Sequence, residues 1–218
     1  MGVATMAFLS RSRDGPSEFL KDYRGTLVAD GYGGYDGVVT GNGIVRAGCW
    51  AHARRKFVDA ERSEPDVAKQ AVALINAMFA VERRAKDLDP AARLEMRQRE
   101  SSPLLVALRA RLDRWRTELL PKHQTSKAVG YALNQWEELT VFAADGAVPI
   151  DNNGSEREMK RMALNRENSL FVGNPRGGET AAIPSSLTSS CRRHAVDPQR
   201  YLTQLLVNLP AATNADLE

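Results

Sequence analysis

Cysteine is scarce in this sequence. Two residues in 218, Cys49 and Cys191, allow at most one disulfide, which excludes a disulfide-built secreted scaffold. No charged-then-apolar leader opens the chain, so secretion has no support and a reducing, cytoplasmic setting is expected. Long apolar runs are missing too: residues 71–80 are too short, and interrupted by Asn76, to span a bilayer. No membrane partner is expected, and the chain reads as soluble. Internal repeats and low-complexity tracts are absent. What the chain does have is 43% hydrophobic residues, enough at this length to bury a core as one large domain or two small ones.

Charge is nearly balanced, at +3, but unevenly distributed. Residues 1–49 hold 5 basic and 5 acidic side chains, residues 50–145 hold 17 and 14, and residues 146–200 hold 8 and 6. The positive excess therefore sits in the middle and just after it. A pI near 9.0 permits a polyanionic partner without requiring one.

Three zones follow from the local pattern. In residues 1–49, β-like runs at 3–9, 26–29 and 44–49 flank a short helix predicted over 16–23, a strand-helix-strand order that points to an α/β element. Residues 50–145 are helical. Apolar side chains recur every three or four residues at Leu74, Met78, Val81, Ala85 and Leu88, again from Leu105 to Leu119, and at Leu133, Trp136 and Leu139. Pro65, Pro90, Pro103 and Pro121 divide this zone into about four helices, with Trp115, Trp136 and Met78 assigned to the core. Residues 146–209 return to mixed structure. Asp151-Asn-Asn-Gly-Ser155 offers helix caps, 169–172 is β-like, 173–178 reads as a turn or mobile loop, and helices are expected at about 180–194 and 198–209. Residues 210–218 are expected to be a disordered tail.

Two acids stand where chemistry is favoured. Asp30 closes a β-run and is followed by glycine-rich chain, the strand-end position that ligand sites prefer in α/β sheets. Glu156 falls in the first turn of a helix, where the backbone dipole favours the carboxylate. The residues alone admit a plainer reading, in which Asp30 bonds its own turn and Glu156 pairs with Lys160.

Four motifs bear on these readings by their order: Val28-Ala-Asp-Gly-Tyr-Gly-Gly-Tyr-Asp36, Cys49-Trp-Ala-His-Ala-Arg-Arg-Lys-Phe57, Asp151-Asn-Asn-Gly-Ser-Glu-Arg157 and Pro198-Gln-Arg-Tyr-Leu-Thr-Gln-Leu-Leu206. Together they resemble the insertion-sequence-66 family of bacterial transposases, from about residue 4 to about residue 209. The resemblance implies a ribonuclease-H-like α/β fold, mostly α overall because a large helical insertion (50–145) interrupts its core (1–49 and 146–209). It also implies an Asp-Asp-Glu triad. Asp30 corresponds to the second acid and Glu156 to the third, both as ligands of Mg²⁺ in DNA strand cleavage and transfer. Arg157, Lys160 and Arg161 follow Glu156 and could contact DNA phosphates, or could form a solvated helix face. DNA, as element ends and target, and a homo-oligomer are the implied partners.

The chain departs from that pattern in places. Asp14, Glu18 and Asp22 are the only acids before Asp30, and all fall in the loop and helix leading to it. The resemblance therefore implies an N-terminally truncated enzyme without its first catalytic Asp, inactive by itself. The alternative is a non-catalytic DNA-binding or protein-interaction remnant built on the helical insertion. Asn165-Arg-Glu-Asn168 carries a negative charge where the family tends to have a positive one, and Pro184 is expected to shorten or kink its helix. Cys49-Trp-Ala-His52 and Cys191-Arg-Arg-His194 share C-x-x-H spacing and could complete a zinc site if they met; otherwise Cys49 is a small buried residue.

Overall fold

The structure, a computed structural model, describes residues 17, 20–31, 33–37, 39, 43–157, 160 and 175–211. The described residues fall into two units, one spanning Ser12–Asn153 and the other running from Gly154 onward. The β-like runs at 3–9 and 169–172 and the 210–218 tail, apart from residues 210 and 211, lie outside the described residues.

The first unit starts with two short parallel strands, β1 (Thr26–Val28) and β2 (Val45–Ala47), in the register Thr26 to Val45, Leu27 to Arg46 and Val28 to Ala47. Successive side chains on a strand point to opposite faces. Leu27 accordingly joins a small cluster with Leu20, Ile44, Tyr35 and Val39, whereas Val28 packs on the main core.

Six α-helices follow: α1 (Trp50–Asp59), α2 (Pro65–Arg84), α3 (Pro90–Met96), α4 (Ser102–Glu118), α5 (Gln124–Asn134) and α6 (Trp136–Ala144). Each longer helix turns one stripe inward: Trp50, Ala53 and Phe57 on α1; Ala71, Ile75 and Met78 on α2; Leu105, Leu108, Leu112 and Trp115 on α4. These stripes meet because α1 packs on α2 and α5, and α4 packs on α2 and α5. Each fully buried large side chain contributes about 1.5–3 kcal/mol. The strands are tied to the bundle by α6. The Gly48 amide donates to the Glu138 carbonyl at 2.7 Å, and a Cβ at Gly48 would lie 3.0 Å from the Leu139 nitrogen, so a larger residue would push α6 back by a few tenths of an ångström.

Proline placement explains much of the helix pattern. Pro65 and Pro90 occupy first-turn positions, where the missing N–H costs nothing, and the Asp89 carboxylate caps α3 by accepting from the Ala92 amide at 2.9 Å. Pro103 behaves differently from the sequence expectation. It does not divide the zone; a π-helical turn, Arg97–Ser101, joins α3 to α4, and the wider turn accommodates a ring that cannot bond the preceding turn. The stripe from Leu133 to Leu139 is split instead, since the backbone at Gln135 leaves helical geometry (φ −107°, ψ 17°) and α6 restarts at Trp136.

One charged side chain lies inside the bundle. Arg97 is completely buried, with Nε and Nη2 donating to the two Glu82 oxygens at 2.7 and 2.6 Å. Its Nη1 donates to the carbonyls of Phe142, Asp145 and Val148 at 2.7, 2.8 and 2.9 Å. A buried guanidinium is tolerated only when its donors are matched in this way. Arg97 thus gathers the end of α6 and the following turn onto α2.

The second unit contains a helical stretch at 154–157, then α7 (Pro175–Arg193) and α8 (Pro198–Asn208). Residues 175–178, expected in a loop, form the first turn of α7. Nor does Pro184 shorten it: α7 runs for 19 residues with Pro184 inside. Pro184 and Thr180 are both exposed, so the carbonyl freed by proline faces water, and the Ser185 hydroxyl returns to the Ala181 carbonyl at 2.7 Å. Asp197 caps α8 by accepting from the Gln199 amide at 2.9 Å.

Candidate functional site

Asp30 lies just past the C-terminal end of β1, as its place in the sequence suggested, and is partly exposed. Its backbone is fixed from the neighbouring strand. The Ala29 amide donates to the Ala47 carbonyl at 3.0 Å, and Arg46 Nη2 donates to the carbonyl of Asp30 itself at 2.8 Å. Arg46 Nη1 also meets the Asp36 carboxylate at 2.7 Å, so one guanidinium spans both ends of the glycine-rich turn.

The bundle closes on this turn from above. A Cβ placed on Gly31 would lie 3.0 Å from Cε2 and 3.4 Å from the hydroxyl of Tyr131, and 3.4 Å from Gln135 Oε1. A side chain there would press on α5 and make the Tyr131 ring give way by a few tenths of an ångström. On the ring of Tyr131 rests the Lys56 ammonium, 4.5 Å from its centroid, which brings a cation from α1 beside the turn. Burial pushes the Tyr131 hydroxyl up from its ordinary value. The Gly31 amide opposes that shift, while the Asp30 carboxylate adds to it.

Cys49 begins α1 beside the returning chain. The Trp50 amide donates to the Ile150 carbonyl at 3.1 Å, and the Trp50 indole donates to the Leu139 carbonyl at 2.7 Å. Burial pushes the Cys49 thiol up against the pull of the Asn152, His52 and Ala51 amides, and Asp151 raises it further. Cys49 belongs to the first unit and Cys191 to the second, and both are free thiols. Among the described residues no three His, Cys, Asp or Glu side chains converge to hold a metal.

Glu156 belongs to the second unit and Asp30 to the first. Asp151 caps the helical stretch that carries Glu156: its Oδ1 accepts from the Asn153 amide at 3.1 Å and its Oδ2 from the Asn153 side-chain amide at 2.6 Å. Glu156 is partly exposed, and Arg157 and Lys160 are exposed; Arg161 lies outside the described residues. Within the second unit Arg193 of α7 reaches this helix, because a Cβ on Gly154 would lie 3.0 Å from its Nη2.

Sequence reading missed Arg46, Tyr131, Gln135, Lys56 and Arg193. The glycines at 31 and 154 were the available signal, but a glycine does not say which distant side chain fills its space. Trp136, assigned to the core, is half-buried: it stands edge-on to Trp50 with centroids 6.0 Å apart, carries Arg109 5.5 Å above its ring, and walls an open groove of about 670 Å³. Among the described residues no helix is long and apolar enough to cross a membrane.

Comparison with known proteins places these features in a family. Three uncharacterized proteins of Sinorhizobium fredii are similar: y4jD at 35% identity over 205 residues, y4qI at 34% over 210 and y4hP at 31% over 225. The alignments take in 90%, 91% and 94% of this chain but 40%, 38% and 41% of those proteins, so the chain spans about two fifths of the length of the curated relatives it matches. No solved structure matches. A family model described as Transposase IS66 family matches residues 5–180, a segment that includes Asp30, the whole bundle and Glu156. On that match over most of its length, the chain belongs to the IS66 family of transposases.

Proposed function

We propose that this chain forms part of a transposase catalytic domain of ribonuclease-H-like fold, acting on DNA ends and target with Asp30 and Glu156 as the second and third acids of an Asp-Asp-Glu set. The observation that carries the reading is the setting of Asp30. An acid just past the C-terminal end of a parallel strand, with its backbone carbonyl held by Arg46 and Tyr131 close beside the following glycine, stands on a held backbone at a favoured ligand position.

The donor chemistry suits Mg²⁺. Asp30 and Glu156 offer hard oxygen ligands, and Mg²⁺ commonly takes one or two carboxylates and fills its remaining positions with water and substrate phosphate. When bound, the metal would activate the attacking oxygen and stabilise the leaving oxygen in phosphodiester substitution. The chain's own contribution is to hold Asp30 in place and to present cations. Arg157 and Lys160, exposed one turn or less beyond Glu156, would bind DNA phosphates and set register without reading bases.

The reading is tested by Mn²⁺ binding to the 218-residue chain with duplex DNA, followed by electron paramagnetic resonance. Asp30→Ala and Glu156→Ala are each expected to weaken Mn²⁺ binding, and Arg157→Ala/Lys160→Ala to lower the salt dependence of DNA binding. Mn²⁺ binding that is equal in the wild type and both acid variants would overturn the assignment.

A further inference from the structure

The helical bundle does more at the Asp30 site than separate two acids in sequence. Gly31, the residue after Asp30, has the Tyr131 ring so close that a Cβ there would stand 3.0 Å from it, and Gln135 Oε1 lies on the same side. The ring is covered on its own account by Lys56 from α1, 4.5 Å from the centroid. Below, Arg46 holds the Asp30 carbonyl at 2.8 Å. The Asp30-Gly31 turn is therefore approached by both a strand-borne guanidinium and a helix-borne ring, the latter from α5, a hundred residues further along the chain.

We infer that Tyr131 is a positioning residue for Asp30: its ring, packed on Gly31, sets where the Asp30 carboxylate stands. The inference rests on the reading of Asp30 as a metal ligand for its consequence in function, but its geometric content does not. Groups that orient a metal ligand commonly change metal affinity by about 10- to 100-fold when removed. The ring lies nearest the space a Gly31 side chain would take and the hydroxyl meets the Gly31 amide, so phenylalanine should keep the packing and lose only that one contact.

The test uses the full chain and two independent readouts: hydrogen exchange at the Gly31 amide by nuclear magnetic resonance, and Mn²⁺ binding with duplex DNA. Tyr131→Leu is expected to speed Gly31 exchange and to weaken Mn²⁺ binding by about tenfold or more, with the amides of α2 unchanged as evidence that the bundle is folded. Tyr131→Phe, which keeps the ring and loses only the hydroxyl's contact with the Gly31 amide, should restore Mn²⁺ binding and leave Gly31 exchange slower than in Tyr131→Leu. Gly31→Ala should also weaken Mn²⁺ binding, and Gly31→Ala/Tyr131→Leu should recover part of the loss because the space for the new methyl group has been made. Unchanged Gly31 exchange in Tyr131→Leu overturns the inference whatever the metal does. If Asp30→Asn leaves Mn²⁺ binding intact, the metal-ligand reading falls instead, and the exchange measurement still decides the role of Tyr131.

Discussion

The two units of this chain are built on different terms. The first, Ser12–Asn153, contains a continuous core from Ala47 to Ile150 that includes Trp50, Phe57, Ile75, Met78, Leu108, Leu112 and Trp115. In the second, the only buried residue among those described is Cys191; α8 buries none, and Leu206 and Val207 are 66% and 71% exposed. The helices of the first unit are fixed by what they pack on. Those of the second, among the described residues, lean on local devices: the Asp197 cap, hydroxyl-to-carbonyl bonds along α7, and a left-handed residue at the end of α7. Helical stability normally comes mostly from packing, so the second unit should be the softer of the two.

The contrast can be broken most severely at Arg97. Arg97→Met leaves Glu82 and three carbonyls without their donor, and a destabilisation of about 3–5 kcal/mol is expected in the first unit. Urea unfolding followed by Trp50 and Trp115 fluorescence would measure it. A loss below about 1 kcal/mol would mean that the buried network does not hold the bundle.

A matched pair sharpens the comparison at smaller magnitude. Leu108→Ala, at a completely buried position, should cost about 2–5 kcal/mol, whereas Leu206→Ala should stay within about 0.5 kcal/mol. Equal losses in thermal unfolding would show that the second unit has a core after all.

The smallest expected effect is a gain. Ala195 adopts φ +55° where α7 ends, with the Val196 amide donating to the Cys191 carbonyl at 2.8 Å. Glycine occupies that backbone region without the Cβ penalty, so Ala195→Gly should stabilise the second unit by about 0.5–1 kcal/mol. Slower hydrogen exchange in the last turn of α7 is the readout, and unchanged or faster exchange would count against it.

Much of the fold was legible because its signals are local. Proline at the first turns of α2, α3 and α8, the periodic stripes of α2 and α4, and the strand ends at Thr26 and Val45 all follow from neighbouring residues. Where local signals competed, the reading failed: at Pro103 the wider turn won, at Gln135 a backbone break interrupted an apparently continuous stripe, and at Pro184 solvent exposure let α7 continue. Asp30 could be singled out from its place between a β-run and glycines. Tyr131 could not, since nothing near it in sequence distinguishes it from an ordinary core aromatic.

By itself, then, the sequence determined the two strand segments, the helical nature of the middle zone and, through motif order, the family, and it singled out Asp30 and Glu156 as candidates. Those are properties of short segments, governed by backbone preference, capping and spacing. Tertiary structure alone decided that Arg97 lies buried beneath the end of α6, that Arg46 grips the Asp30 carbonyl, that Tyr131 comes up beside Gly31 and that Lys56 sits on the Tyr131 ring. Each joins residues 15 to 100 positions apart, and most of the partners are backbone atoms or ring faces that leave no pattern in the side-chain alphabet. Only the packed chain brings them within reach.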